Sequence, residues 1–211
     1  MSISVLTRRR GVPVLSWAVQ LRQSVSLLVI VACTIFMLST PASWPQHTLV
    51  GQTLSAIAFV LVVIAALGRV WCSVYISGYK EDRIVDVGPY AIVRNPLYAF
   101  SLLGAIGLGL ATRRVSVLVL LVVAFLVYYP LVVFAEENNL LDKFGHIYEE
   151  YMRHTPRFWP RRFRPIEPDL YPTRPRHVRR ALQEVLWFFW AYLLIELVVA
   201  GEGVQRIIDI F

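Results

Sequence analysis

The chain has 211 residues and a formal net charge of +7; 57% of its residues are hydrophobic and only 17% are charged. That balance excludes an ordinary soluble domain, because the apolar residues come in long uncharged runs. It also argues against a nucleic-acid module, which needs a basic face with interleaved aromatics on a soluble fold.

Arg8, Arg9, Arg10 and Arg22 precede a first apolar run, Val25 to Thr40. This run resembles a signal peptide, with Ala42-Ser43 beyond it, but the later runs favour an uncleaved anchor. A short loop, Pro41–His47, carries no Lys or Arg, and Thr48 to Gly68 forms a second run. Residues 69–96 read as a polar connector closing on the turn signal Gly88-Pro89-Tyr90. At Arg94-Asn95-Pro96 a helix is expected to begin. Asn95 suits the cap, its side-chain oxygen accepting from a free amide, and Pro96 suits the first turn.

Leu97 to Ala111 is short and directly precedes Val115 to Ala135, which predicts a tight helical hairpin. The latter run has 21 uncharged residues, enough for ~30 Å of hydrocarbon. Beyond it Leu140, Leu141, Phe144, Ile147, Tyr148 and Tyr151 recur at helical spacing, predicting one amphipathic helix that Thr155-Pro156 ends. Arg157 to Pro175 reads as an extended segment along the headgroups. Leu182 to Ala200 is a fifth run, interrupted by Glu184 and Glu196; a span and an interfacial helix both fit it.

The basic residues orient these runs. Eighteen of the 21 Lys and Arg fall at the N-terminus, in 69–96 and in 136–181; only Arg113, Arg114 and Arg206 fall on the other side. By the positive-inside rule the first group faces the cytoplasm. The expected fold is all-α, a multi-pass membrane protein of about five helices, with a site carried by the hairpin of spans three and four. The expected regions are a two-span region 1–68, a core 69–160, and an Arg/Pro-rich segment with its helix, 161–211. Cys33 and Cys72 lie in or beside apolar runs, and His146 and His154 lack partners at ligand spacing, so neither disulfide nor metal site is expected. Gly104, Gly107 and Gly109 follow no strand and read as helix packing rather than a nucleotide loop.

The hairpin topology brings two clusters to one depth: Gly88 to Tyr98, and the carboxylates Glu136-Glu137. Adjacent carboxylates at the hydrocarbon edge are costly, and a bound cation offsets that cost. Arg94 is one such cation; a sulfonium ligand with its ammonium is another. Tyr90 and Tyr98 offer π-faces to either, and the helix opening at Pro96 offers amides to an anion.

The segments GPYAIVRNPLY and EENNLLDKFGHIYEEYMRHTPRFWP, about 35 residues apart, resemble the isoprenylcysteine carboxyl methyltransferase and phospholipid methyltransferase superfamily over residues 75–160. The resemblance implies a membrane methyltransferase binding S-adenosylmethionine in a cytoplasm-facing pocket, with a lipophilic methyl acceptor arriving from the bilayer. By position it implicates Tyr75, Asp82, Arg83, Ile84, Val85, Tyr90, Asn95, Pro96, Leu97, Tyr98 and Glu136 in cofactor binding. Arg94 would brace the carboxylates; Glu137 would brace the fold through Arg94 or a headgroup-level partner, or serve as base for an amine acceptor. Two departures concern the acceptor. Asn95 stands where the eukaryotic prenylcysteine enzymes have His, and Val132 where they carry a substrate-binding Arg. The acceptor therefore stays open between a prenylcysteine carboxylate, a phospholipid and another lipophile. The implied setting is a bacterial or archaeal inner membrane. A steroid-reductase-type enzyme using NADPH and a non-catalytic membrane protein are the competing readings. The reductase would better match an Asn-Tyr-x-x-Glu stretch, which Pro96-Leu97 interrupts.

Overall fold

The structure, a computed structural model, describes residues 21–45, 48–76, 79, 82–161, 163 and 165–208. Arg8, Arg9, Arg10, Lys80, Arg162 and Arg164 of the charge pattern lie outside the described residues, as does His47.

All regular elements among the described residues are helices: α1 (Arg22–Ser39), α2 (Leu49–Ile76), α3 (Pro89–Ile92), α4 (Pro96–Ala111), α5 (Val115–Phe144), α6 (His146–His154) and α7 (Pro175–Ile208). Three stretches are long and apolar enough to cross a membrane: Leu49–Ile76, Val115–Phe144 and Pro175–Gly201. The other two expected runs also fold as helices but are shorter. The 16 residues of α4 extend only about 24 Å.

Helix α4 sits at the centre, packed on α2, α5 and α7. Its glycines make that possible. A Cβ on Gly107 would lie 2.9 Å from the Ala58 carbonyl oxygen, and one on Gly104 would enter the Phe188 ring. On α2, Gly68 gives room to Phe100 in the same way. Van der Waals contact between closely approaching backbones drives such association, since lipid tails offer no hydrophobic gain. The glycines Gly104, Gly107 and Gly109 are packing residues, as their position predicts.

The α4–α5 hairpin forms as expected, turning through Thr112, Arg113 and Arg114. Its tip differs from an exposed loop, however. Arg113 and Arg114 are only 3% and 2% exposed. Arg114 donates to the carbonyls of Thr40 (2.6 Å) and Thr112 (3.0 Å), and Arg113 pairs with Glu196 on α7 at 3.1 Å. The shortness of α4 withdraws this tip into the protein, under the segment that follows α1. Because Glu196 meets the tip while Pro175 starts near the opposite end, α7 traverses the bundle rather than lying across one face.

Two boundaries depart from expectation. Helix α2 continues past Gly68 to Ile76, so Arg69 belongs to a helix and not to the connector. Helix α5 carries Glu136 and Glu137 onward to Phe144 without interruption, as the helical spacing beyond the span predicts. The amphipathic stretch is not one helix, because Gly145 adopts φ +53° and redirects the chain into α6. Gly lacks the Cβ that penalises this left-handed conformation. The redirection buries Tyr148 and leaves Ile147 exposed.

Candidate functional site

Where α2, α4, α5 and α6 end together, a cavity of about 180 Å3 opens to one side. Its walls are Ile76, Arg83, Ile84, Val85, Tyr90, Arg94, Asn95, Leu97, Tyr98, Glu136, Glu137, Leu140, Tyr148 and Tyr151. Eight of the eleven residues expected at a cofactor line it, together with Arg94 and Glu137. Tyr75, Asp82 and Pro96 do not. Tyr75 packs behind the wall with Cys72, Val85 and Tyr90, while Asp82 is exposed and pairs with Arg174 at 3.2 Å.

The segment Pro156 to Arg174 binds back across the connector and fixes it. Arg94 and Asn95 donate their amides to the carbonyls of Pro156 (2.8 Å) and Arg157 (3.3 Å). Gly88 donates to Ile166 at 2.8 Å. Gly88 has φ +60°, and a Cβ there would lie 2.6 Å from the Tyr75 ring, so only glycine fits this turn. Tyr171 packs on the rings of Tyr75 and Tyr79, and its hydroxyl donates to the Tyr75 carbonyl at 2.7 Å. Arg83 lies over the rings of Tyr79 and Tyr171.

Glu137 is the electrostatic centre. It is 4% exposed and accepts from Arg94 Nε (3.2 Å), Asn95 Nδ2 (2.8 Å) and the Arg157 guanidinium, whose Nε lies at 3.0 Å. Arg94 also holds the carbonyls of Met152 and Thr155. A buried carboxylate is tolerable only when paired and hydrogen-bonded, and here both oxygens are engaged. The expected capping role of Asn95 is corrected: it occupies the cap position, but its side chain makes no capping bond and donates to Glu137 instead. Donating Nδ2 to Glu137 fixes the orientation of the amide, and its oxygen makes no bond to the helix end. Arg157 was not singled out by its sequence; it is one of ten basic residues between 143 and 180, and no periodicity marks it.

Glu136, one residue along α5 and about 100° around it, also lines the cavity but is only half-buried. The Tyr90 hydroxyl is buried in the wall with no hydrogen-bond partner. Burial raises the Tyr90 phenol well above its ordinary value, and burial followed by the neighbouring Glu137 raises Tyr148. Both stay neutral donors near neutral pH. Tyr151 donates to the Tyr90 carbonyl at 2.7 Å. From Tyr98 an aromatic row of Tyr129, Phe125 and Tyr128 continues along α5 toward the bilayer.

The phospholipid methyltransferase family pattern matches residues 47–147, the interval that holds the hairpin and most of the cavity wall. The chain is 31% identical over 170 residues to the nickel-cobalt-cadmium resistance protein NccN of Alcaligenes xylosoxydans xylosoxydans, covering 81% of this chain and 79% of that protein. It is 34% identical over 149 residues to the cobalt-zinc-cadmium resistance protein CzcN of Cupriavidus metallidurans, covering 71% and 68%. No solved structure matches it. The chain belongs to the phospholipid methyltransferase family and is an integral membrane protein.

Proposed function

We propose that this protein is an S-adenosylmethionine-dependent methyltransferase acting on a lipophilic acceptor, with its cavity facing the cytoplasm. The observation that carries the reading is the Tyr90 hydroxyl, a buried donor without a partner in the wall of a cavity lined by the family's matching segment. Leaving such a group unpaired costs about 1–3 kcal/mol, which a polar ligand would recover. S-adenosylmethionine, when bound, supplies an electrophilic methyl group on a sulfonium. The donor set suits it: Glu136 for the ammonium or ribose hydroxyls, Arg83 for the carboxylate, and the rings of Tyr90 and Tyr98 for the sulfonium or adenine. At about 180 Å3 the cavity would enclose part of the cofactor, the rest filling its open mouth.

The residues present would align two reactants and exclude water, which is most of what an in-line displacement requires. The row Tyr98, Tyr129, Phe125, Tyr128 supports acceptor access from the bilayer. Glu137, expected as a base for an amine acceptor, has both oxygens committed to Arg94, Asn95 and Arg157. Its reading is accordingly that of a brace, as is that of Arg94. Those same ion pairs commit both guanidiniums, which disfavours a carboxylate acceptor and supports a lipid headgroup. The relatives' names suggest heavy-metal tolerance as the setting. Among the described residues no group of three or more His, Cys, Asp or Glu could hold a metal ion, so the contribution we propose is methylation of a membrane constituent.

The test is ligand stabilisation followed by transfer. S-adenosylmethionine or its demethylated product raises the melting temperature of the purified protein, as a native-state ligand must, and NADPH does not. Radiolabelled methyl then appears in a lipid-soluble product. Stabilisation by NADPH alone would move the assignment to the reductase reading.

A further inference from the structure

Arg69 is a guanidinium at the end of the stretch of α2 that can cross the hydrocarbon. It lies in the apolar helix α2, 20 residues beyond Leu49, hence about 30 Å along the axis, the thickness of the hydrocarbon core. Its Nη1 donates to the Ser101 hydroxyl on α4, which in turn donates to the Leu97 carbonyl at 2.8 Å. Its Cζ lies 5.6 Å from the centroid of the Phe188 ring on α7. Its Nε is buried with no hydrogen-bond partner, and no carboxylate among the described residues pairs with it.

In its partners Arg69 differs from Arg94, Arg113 and Arg114. Arg94 has Glu137, Arg113 has Glu196, and Arg114 holds two backbone carbonyls. A hydroxyl and an aromatic face orient a guanidinium without neutralising it, and an uncompensated charge in a low-dielectric site is expensive. The missing anion can come from the bilayer. Arg69 and Phe188 are themselves only partly buried, so the guanidinium is reached from outside the protein. Its depth is that of lipid phosphates, and a guanidinium fork matches phosphate oxygens.

We propose that Arg69, oriented by Ser101 and Phe188, is a binding site for the phosphodiester of a bilayer phospholipid. The site is separate from the cavity, although Leu97, one helical turn from Ser101, lines that cavity. Binding at Arg69 is read without cofactor and stands whether or not the methyl-transfer reading does.

Native mass spectrometry of the detergent-released protein tests it, with phosphatidylglycerol, diacylglycerol of the same chains, and inorganic phosphate as probes. Wild type is expected to hold one phosphatidylglycerol, with Arg69→Gln weakening it about tenfold. Diacylglycerol and millimolar phosphate should bind neither protein measurably. Equal binding to Arg69→Gln and wild type overturns the proposal, and so does diacylglycerol binding as tightly as the phospholipid. Arg69-dependent binding of inorganic phosphate as tight as that of the lipid assigns the site to a soluble anion and overturns it too. If Arg69→Gln yields no folded protein, Arg69→Lys decides. It keeps the charge but loses the fork, and binding should weaken about threefold; unchanged binding overturns the proposal.

Discussion

The two ends of the bundle both bury arginines, and they settle them differently. At the hairpin tip, Arg113 and Arg114 are held by one carboxylate, two carbonyls and tight backbone turns, including φ +57° at Arg113. No residue of the tip lines the cavity at the other end. At the other end, Arg94 and Arg157 converge on Glu137 from two separate segments, and the clamp they form is one wall of an open cleft. The tip spends its charges on closing a turn. The cleft spends Glu137 on the same task, and Glu136, Arg83 and an orphan tyrosine hydroxyl stand in its wall as well. A buried ion pair by itself therefore says little about function. What distinguishes the cleft is that its leftover polar group, the Tyr90 hydroxyl, stands in a cavity wall that Glu136 and Arg83 also line. The leftover atoms of the tip, Arg113 Nε and Glu196 Oε1, belong to a single ion pair.

The largest effect should come from the brace. Glu137→Ala leaves two guanidiniums and an amide without their shared acceptor and should destabilise the protein by about 3 kcal/mol, the half-exposed Arg157 keeping the loss at the lower end for a broken buried pair. A thermal melt in detergent reads it, and an unshifted melting temperature would sink the brace. Glu196→Gln at the tip should cost less, about 1–2 kcal/mol, because Glu196 is partly exposed, and should leave cofactor affinity untouched. A change in affinity there would erase the distinction between the two ends.

Glu136→Gln should show the opposite profile. Affinity for S-adenosylmethionine falls by one to two orders of magnitude, corresponding to roughly 1.5–3 kcal/mol for a charged hydrogen bond, while the melt of the ligand-free protein stays within about 0.5 kcal/mol. Calorimetric titration beside the melt separates the two, and wild-type affinity would return Glu136 to the status of a helix end. Tyr90→Phe is the smallest and most discriminating change. It removes a hydroxyl that has no partner, so the ligand-free protein should be as stable as wild type or slightly more so, while affinity drops about three- to tenfold. Loss of stability with unchanged affinity would mean that the hydroxyl serves the fold.

The hairpin, its tip at 112–114 and the shared depth of the 88–98 and 136–137 clusters were legible because hydropathy reports how far along a span each residue lies. The direction a side chain takes around its helix is not reported that way. The turn of about 100° between Glu136 and Glu137 required that they part, and the resemblance gave Glu136 to the pocket. The fold buries Glu137 on Arg94, Asn95 and Arg157 and leaves Glu136 at the cavity wall. Arg157 was invisible among its basic neighbours because its significance comes from a long-range contact 20 residues away. Asn95 misled for a related reason. Its local partner, a helix amide, was predictable, whereas its stronger partner sits 42 residues on. The division at Gly145 was missed because hydrophobic spacing runs through it without a break, and only the positive φ reveals the turn.

The strap from Pro156 to Arg174 also sets an order of events during synthesis. Gly88, Asn95 and Glu137 leave the ribosome before the strap that supplies their partners Ile166 and Arg157 and before the Tyr171 that stacks on Tyr75. At 5–20 residues per second, the wait from Gly88 to Tyr171 is on the order of ten seconds. The membrane-crossing helices α2 and α5 are complete before then, so the cleft is finished only after the hairpin has been delivered to the bilayer. A chain stalled before residue 157 would carry the whole hairpin and still lack both the Arg157 contact to Glu137 and the strap that closes over the connector.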